Sequence, residues 1–418
     1  RVMARARLRG GDRTAAADAE VAAFLGAAQP AHFAVAGGQV VYSGPADDWG
    51  LRRMILHYAH LCALAGGVDA FCVGSEFRGL TQIRGAGDAF PFVAGLRQLA
   101  AEVRAILGPG CKISYAADWS EYFGYLTPEG DRLFHLDPFW ADENVDFVGI
   151  DNYMPLSDWR EGEDHADRAV ARTIYDLDYL AGNVAGGEGF DWFYASPEER
   201  AAQRRTPIAD FHGEPWVWRY KDLRGWWENA HHDRVGGARA AAPSPWVPRS
   251  KPFWFTEYGC PAVDKGTNEP NVFLDPKSSE SAPPRFSTGR RDDAIQIQYY
   301  RAMDRHFAGP AGNPVSPVYG GPMVDMGRAF AWAWDARPFP AFPGNAALWD
   351  DAANWARGHW ISGRTGGQPL DSVVAEVCAG AGVAADAALA GVVRGYVAAD
   401  VASARAVLQP LMLAHGFD

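Results

Sequence analysis

Two glutamates stand at the ends of apolar segments that are typical of buried strands. Glu76 closes VDAFCVGSE, and Glu257 closes PFWFTE. Removing an ionised carboxylate from water is costly, so a plain core strand should not end in one. Two carboxylates that flank a pocket are what glycosidic cleavage requires, because one protonates the leaving oxygen while the other attacks the anomeric carbon or activates water. The alternative is that each acid pairs with an Arg or Lys in a structural network.

Polar and aromatic side chains also follow the other strand-like segments. The ends of these segments read Asp118-Trp119, Asp151-Asn152-Tyr153, Glu257-Tyr258 and Trp334-Asp335. The segments are apolar on both faces and alternate with helical stretches such as Trp49–Gly67 and Phe90–Gly110, which is typical of a parallel sheet with crossover helices. No G-x-G-x-x-G or phosphate-binding loop follows any of them, as a nucleotide-binding sheet would have. We therefore predict an α/β fold of the (β/α)8 TIM-barrel type, in which the active site lies at the carboxyl ends of the strands.

The predicted barrel is incomplete at its N-terminus or closes irregularly. Six strands are expected from residue 31 onward, the last over Arg328–Phe339, and one more is expected near Val2–Leu8. The chain begins with Arg1 and no signal peptide follows, so we expect a piece of a longer protein. Residues 1–356 are assigned to the barrel, with a cap insertion over about 154–250 that is expected to hold a helix over Ala166–Val184. Residues 357–418 lose the acid-ended strands and most tryptophans, and we expect them to form two short amphipathic helices that begin a second domain.

Composition narrows the class of partner. The 418 residues carry a formal charge of −12, which argues against nucleic acid as a specific partner, because phosphate binding needs clustered Lys and Arg. Five isolated cysteines form no metal-binding spacing and are expected to be reduced, as in a protein that folds in the cytoplasm. No apolar run is long enough to span a bilayer, so we predict no membrane span.

Other groups give weaker signals. His57 and His60 share a helix face, and His231-His232-Asp233 lies in the insertion, but neither set has an evident third ligand. We therefore predict no metal and no cofactor. Trp226-Trp227 either lines a sugar cleft or packs the insertion, and aromatic residues commonly do the latter.

Longer motifs carry a resemblance to known families. FCVGSEF, GIDNY and WFTEYG resemble the retaining glycoside hydrolases that have their acid on strand four and their nucleophile on strand seven. From Thr14 to about Trp355 the chain resembles the glycoside-hydrolase TIM-barrel-like domain of the large tail protein of gene transfer agents and related phages. The motifs GSEFRGLT, YAADWSEYFGY, DNYMPLSDWR, EPWVWRYKDLRGWW and KPFWFTEYGCPAVDKGTNEPNVF carry this match. The segment from GHWISGR to the C-terminus resembles the opening of the tail hub domain.

The resemblance implies roles for named residues. Glu76 would be the general acid/base, Glu257 the nucleophile, and Tyr153 the hydrogen-bond donor to that nucleophile. Trp332 or Trp334 would form the floor of the sugar pocket. The chain departs from the hydrolase pattern in one respect: Ser75 stands where Asn normally holds the sugar 2-hydroxyl. The remaining strand-end residues are expected to bind substrate with Ser75; they are Asp118, Trp119, Asn152 and Tyr258.

The resemblance also implies a biological setting. It indicates a tail or baseplate component of a phage-like gene transfer particle, assembled in the bacterial cytoplasm and then released. Its partners would be a bacterial cell-envelope glycan and other tail proteins, and it would be oligomeric within the tail. The alternative is a catalytically degenerate barrel that binds glycan or serves as a structural baseplate module. The hub-like C-terminus and the missing signal peptide disfavour a free cellular glycosidase.

Overall fold

The computed structural model describes residues 11–275, 281–364 and 367–418, so the strand predicted near Val2–Leu8 lies outside the described residues. The described residues form two compact units. The first comprises residues 11–152, 209–256 and 314–329. The second comprises residues 153–208, 257–313 and 330–418, apart from the undescribed positions.

The first unit holds the longer strands and their crossover helices. Its helices are α1 Ala15–Leu25, α2 Leu51–Leu64, α3 Arg78–Thr81, α4 Pro91–Leu107, α5 Asp137–Trp140 and α8 Leu223–Glu228. Its strands are β1 Phe33–Ala36, β2 Gln39–Tyr42, β3 Ala70–Ser75, β4 Lys112–Asp118, β5 Tyr125–Leu126, β6 Arg132–Leu133, β7 Val148–Asn152, β10 Arg234–Val235 and β11 Ala238–Arg239. Strand β12, Phe253–Tyr258, belongs to this unit as far as Thr256.

A four-stranded sheet in the order β12-β7-β4-β3 positions the candidate site. Strands β3 and β4 are parallel, as are β4 and β7, and Asp118 is paired with Asp151. The register between β3 and β4 shifts just before Ser75. Directly before β12, the Pro252 carbonyl accepts a hydrogen bond from the Val148 N–H at 2.9 Å. Four of the predicted strands are therefore present in one sheet, with their carboxyl ends carrying the polar residues.

Amphipathic helices cover this sheet because their apolar positions recur at helical spacing. Helix α4 begins with Pro91 at its first turn, ends at Gly108 (φ +76°) and buries Leu96, Leu99 and Val103. It packs on α2, where Arg52 forms a 2.6 Å ion pair with Glu102 of α4. The two predicted helices that flank β3 are therefore present.

The second unit is built from shorter elements. Its helices are α6 Leu177–Gly182, α7 Pro197–Ala201, α9 Asp293–Phe307, α10 Ala341–Gly344, α11 Leu370–Gly380 and α12 Ala404–His415. Its strands are β8 Trp192–Phe193, β9 Thr206–Pro207, β13 Gln368–Pro369 and β14 Val392–Val393. Asp292 caps α9 by accepting from the Ile295 N–H, and this helix packs on α6.

The C-terminal residues have an apolar cluster of their own. It comprises Leu370, Val374, Val393, Leu408 and Leu411. Helices α11 and α12 supply four of its members, in agreement with the two short amphipathic helices predicted there. The assignment of residues 357–418 to a separate domain remains a prediction.

Two predicted elements differ in the structure. The strand expected over Arg328–Phe339 does not form, and in the second unit Ala331 makes only an isolated bridge to Tyr258. The Trp332 N–H donates to the Tyr258 carbonyl at 2.8 Å, and the Ala333 N–H donates to the His359 carbonyl at 3.0 Å. The long helix expected over Ala166–Val184 is broken, because Asp176 caps a new start by accepting from the N–H groups of residues 178 and 179.

All five cysteines are free thiols. Within the described ranges, no helix combines the length and apolar character needed to cross a bilayer.

Candidate active site

Glu76 follows β3 in an unusual backbone conformation. Its φ is +51°, a left-handed value that is uncommon for residues other than glycine. The Glu76 N–H still donates to the Ala116 carbonyl of β4 at 2.8 Å, so the backbone remains attached to the sheet. The backbone that carries the half-buried Glu76 side chain is therefore fixed at the carboxyl end of β3.

The residue after Glu76 is held by a buried side-chain network. The Phe77 N–H donates to the Tyr115 hydroxyl at 2.5 Å. The Tyr115 hydroxyl donates in turn to Glu121 Oε2 at 3.0 Å. The Thr81 hydroxyl donates to Glu121 Oε1. Tyr115 and Glu121 are both fully buried. The two consecutive N–H groups of residues 76 and 77 are thus both bound to β4.

Glu121 differs electrostatically from an ordinary carboxylate. Burial raises its pKa to about 8, and the charge of Asp118 adds to this, while hydrogen bonds from Thr81 and Tyr115 oppose it. The carboxyl group is therefore mainly protonated at pH 7. The sequence analysis did not identify Glu121, and its place in YAADWSEYFGY three residues after Asp118 gave no sign of burial.

Asp151 of β7 connects the strand ends of the first unit. It is fully buried; its Oδ2 accepts from the Ser75 hydroxyl at 3.2 Å and its Oδ1 from the Thr256 hydroxyl at 2.7 Å. Ser75 directly precedes Glu76, and Thr256 directly precedes Glu257. A carboxylate oxygen of Asp151 also lies within 4.8 Å of one of Glu76. The sequence marked Asp151 as a strand-end acid but gave it no role.

In the second unit, Glu257 has the tyrosine partner that was expected. The Tyr153 hydroxyl donates to Glu257 Oε2 at 2.6 Å. Tyr153 is buried, and its ring meets the edge of the His359 ring at a centroid distance of 5.6 Å. The His359 Nε2 lies 2.7 Å from the Pro270 carbonyl, which fixes the imidazole as an Nε2–H donor. The hydrogen bond predicted between Tyr153 and Glu257 is therefore present.

The other strand-end residues of the first unit have local partners. Asp118 Oδ1 accepts from the Ser120 N–H at 2.7 Å, which closes the turn after β4. Trp119 is half-buried with its ring 4.9 Å from that of Tyr220, edge to face. Asn152 is buried at the end of β7. Their predicted contacts with substrate stay predictions.

The aromatic residues predicted in the second unit differ in exposure. Tyr258 is half-buried, with its ring 5.1 Å from that of Tyr300, and burial together with the charge of Asp304 raises its pKa. Trp332 and Trp334 are 44% and 63% exposed, and both indoles are open to solvent. They retain free aromatic surface of the kind that stacks on sugar rings.

The histidines of the insertion serve the fold. His231 is fully buried, with Nδ1 2.7 Å from Asp137 Oδ2 and Nε2 2.7 Å from the Trp226 carbonyl. His232 Nδ1 lies 2.8 Å from the Ala240 carbonyl, and Asp233 accepts from the Phe134 N–H. The three side chains do not converge on one point. Trp226 and Trp227 are likewise fully buried within the first unit, which agrees with the alternative that they pack the insertion.

Comparison with known proteins gives one family match. Residues 49–343 match the model of a family described as the GTA TIM-barrel-like domain. This match identifies the sheet and its crossover helices as parts of an α/β, TIM-barrel-like fold, as the sequence predicted. No curated protein matches the chain. Among solved structures, the chain is similar to the GH113 β-mannanase of Alicyclobacillus acidocaldarius in complex with ManMIm, with 17% identity and a TM-score of 0.33 over 75% of this chain and 57% of that one.

Proposed function

The chain belongs to the GTA TIM-barrel-like domain family, and from this premise we propose that it is a retaining glycoside hydrolase that cleaves a bacterial envelope or surface glycan. Glu76 is the general acid/base and Glu257 the nucleophile. The reaction class rests on the residues at the strand ends, because a TIM barrel by itself supports many chemistries.

One observation carries the proposal. The carboxylate of Asp151 accepts hydroxyl hydrogen bonds from both Ser75 and Thr256, the residues that directly precede the two glutamates. Burying a carboxylate costs its hydration, so a sheet with only a packing role is not expected to bury one near the end of a strand and bond it to hydroxyls of two other strands. Such an arrangement is typical of a site whose side chains must be held in fixed positions.

The proposed reaction has two steps. In the first, Glu257 Oε attacks the anomeric carbon while Glu76 gives its proton to the leaving glycosidic oxygen, so that one C–O bond forms as the other breaks. In the second, Glu76 takes a proton from water, and the water oxygen displaces Glu257 from the sugar. Tyr153 supports the first step because its hydroxyl donates to Glu257 and orients the attacking carboxylate. The mechanism calls for the two carboxyl groups to lie about 5 to 5.5 Å apart.

Glu257→Gln is the direct test, because it keeps the shape of the side chain and removes the nucleophile. We expect it to abolish hydrolysis of purified envelope polysaccharides, with losses of many orders of magnitude possible, and to leave the melting temperature nearly unchanged. Glu163→Gln, on a carboxylate that is 80% exposed in the second unit, is the matched control and should keep full activity. A destabilised Glu257→Gln together with an inactive wild type would contradict the proposal.

A trapping experiment tests the covalent step separately. An activated aryl glycoside needs no acid for its departure, so Glu76→Ala should form the glycosyl-enzyme but hydrolyse it slowly. Mass spectrometry of the intact protein and of its peptides should then find one sugar on the peptide that contains Glu257. Sugar attached elsewhere, or inversion at the anomeric carbon of the product, would exclude this mechanism.

We also propose that the chain acts within the tail or baseplate of a phage-like gene transfer particle, next to other tail proteins and in oligomeric form. Membership of a family whose name carries GTA supports this, together with the resemblance of the C-terminal segment to a tail hub domain. Peptide mass spectrometry of purified particles, with immunogold labelling, tests the location. Particles that lack the chain while the producing cells contain it would contradict this role.

A glycan-binding module without turnover is the second candidate. The exposed indoles of Trp332 and Trp334 favour it, since stacking on sugar requires no acid pair. Under this alternative, Trp334→Ala weakens binding of envelope polysaccharide in isothermal titration calorimetry, and no reducing ends accumulate with the wild type.

A further inference from the structure

The buried carboxylate of Asp151 has no part in the two-step reaction described above, although it lies close to the proposed acid. Its side chain is fully buried, and one of its oxygens lies within 4.8 Å of an oxygen of Glu76. Two carboxylates at such a distance repel when both are ionised, so one of them tends to retain a proton. The surroundings of each group determine which of the two it is.

The hydrogen bonds favour the charge on Asp151. Its two oxygens accept from the hydroxyls of Ser75 and Thr256, and hydrogen bonds donated to a carboxylate stabilise the ionised form. A protonated Asp151 would offer one fewer acceptor oxygen to the hydroxyls of Ser75 and Thr256 than the ionised form does. The hydrogen bonds that Asp151 accepts therefore favour the arrangement in which Asp151 is ionised and the proton of the pair is on Glu76.

Two neighbouring titratable groups, on β3 and β4, do not compete for this charge. Cys72 of β3 has its pKa raised to about 12, by burial and then by the charge of Asp151. Tyr115 of β4 has its pKa raised by burial, by Glu121 and by Asp151. Both are neutral at pH 7, as Glu121 mainly is. Asp118 is the register partner of Asp151 on β4, and Glu257 is the residue after Thr256 on β12.

We propose that Asp151 is a positioning residue of the proposed hydrolase: its carboxylate bonds the residues that precede Glu76 and Glu257, and its negative charge keeps the proton on Glu76 until the leaving oxygen takes it. This inference rests on the proposed function for its catalytic meaning, but the coupling between Asp151 and Glu76 is measurable without any turnover.

The experiment is a pH titration of glutamate side chains by NMR on the full chain labelled with 13C at the glutamate carboxyl carbon. The Glu76 signal is identified by its absence from Glu76→Gln. In Asp151→Asn, which keeps the shape and loses the charge, we expect the Glu76 midpoint to move to lower pH by about one to two units. Asp146→Asn is the control, because Asp146 bonds Lys112 and Arg104 at the opposite end of β4, and it should leave the Glu76 midpoint in place.

Two milder variants keep the test valid if Asp151→Asn does not fold. Thr256→Val and Ser75→Ala each remove one hydrogen-bond donor to Asp151. The ionised form of Asp151 is then less stable, so Glu76 loses its proton at lower pH. Each should move the Glu76 midpoint to lower pH by less than Asp151→Asn does. A Glu76 midpoint that is the same in wild type and in every folded variant would overturn the inference.

Activity measurements separate this inference from the proposed function. If the wild type hydrolyses glycan, the basic limb of its pH–rate profile should move in Asp151→Asn by the same amount as the NMR midpoint. If the wild type is inactive and the midpoint still moves, the coupling of Asp151 to Glu76 stands and the proposed hydrolysis fails. Full activity with an unmoved limb in Asp151→Asn would overturn the role of Asp151 while the proposed function stands.

Discussion

Replacing Glu121 by Gln should raise the stability of the protein relative to the wild type as the pH rises. Glu121 is fully buried and accepts hydrogen bonds from Tyr115 and Thr81. Gln retains the size of the side chain and still presents a carbonyl oxygen to these donors, but it cannot ionise. The substitution therefore isolates the effect of the ionisable proton on folding.

The magnitude follows from the two pKa values of Glu121. Burial raises the pKa from its ordinary value of 4.5 to about 8 in the folded protein. Between these values the unfolded chain loses the proton while the folded chain keeps it, so the folded state binds more protons and stability falls as the pH rises. The contribution is complete below the ordinary value and is lost through the folded value. At about 1.4 kcal/mol per pH unit, the loss over this window is about 5 kcal/mol.

Urea denaturation of wild type and Glu121→Gln between pH 4.5 and pH 8.5 measures the effect. We expect the unfolding free energy of the variant, minus that of the wild type, to rise across this window. Glu143→Gln changes an exposed carboxylate of the same unit and serves as the matched control. A flat difference for Glu121→Gln would refute the reasoning, because it would mean that the buried carboxyl titrates alike in the folded and the unfolded chain.

Two further substitutions test contacts in each unit. Tyr153→Phe removes the hydroxyl that donates to Glu257. Because a hydrogen bond to a charged group contributes about 1.5 to 3 kcal/mol, kcat on the envelope glycan should fall by about 10- to 100-fold. An unchanged kcat would show that this donor does not orient the nucleophile. His231→Asn breaks a fully buried pair with Asp137 and should lower the unfolding free energy, measured by thermal unfolding, by about 3 to 5 kcal/mol. His212→Asn, at an exposed position, should change the unfolding free energy little. Equal decreases for the two variants would contradict a structural role for His231.

The central strands were predictable because each is a continuous apolar segment with a polar end, a pattern that a solvated sheet or a surface helix does not produce. Strands β3, β4, β7 and β12 all follow this rule. The segment around Ala331 also looks like a strand in sequence, since apolar residues alternate along it. In the structure it makes one isolated bridge, to Tyr258, and sequence periodicity carries no information about how far such pairing extends.

The candidate site was predictable only in part. Glu76, Glu257 and the Tyr153 donor follow from strand ends and from family motifs. Asp151 and Glu121 gained no role because their importance comes from burial and from hydroxyl partners far away in the sequence. Ser75 shows the same limit. The sequence predicts that it binds substrate, and it gives no sign that the Ser75 hydroxyl donates to Asp151, as it does in the structure.

The left-handed backbone at Glu76 also bears on how this position changes under selection. Glycine adopts such a φ freely, whereas a side chain there costs about 1 to 3 kcal/mol. Selection for thermal stability alone therefore favours glycine at position 76, and only selection for the carboxylate opposes it. Lineages that no longer use the acid should lose it here early, because the replacement brings a gain in stability, while the neighbouring Tyr115 stays for packing.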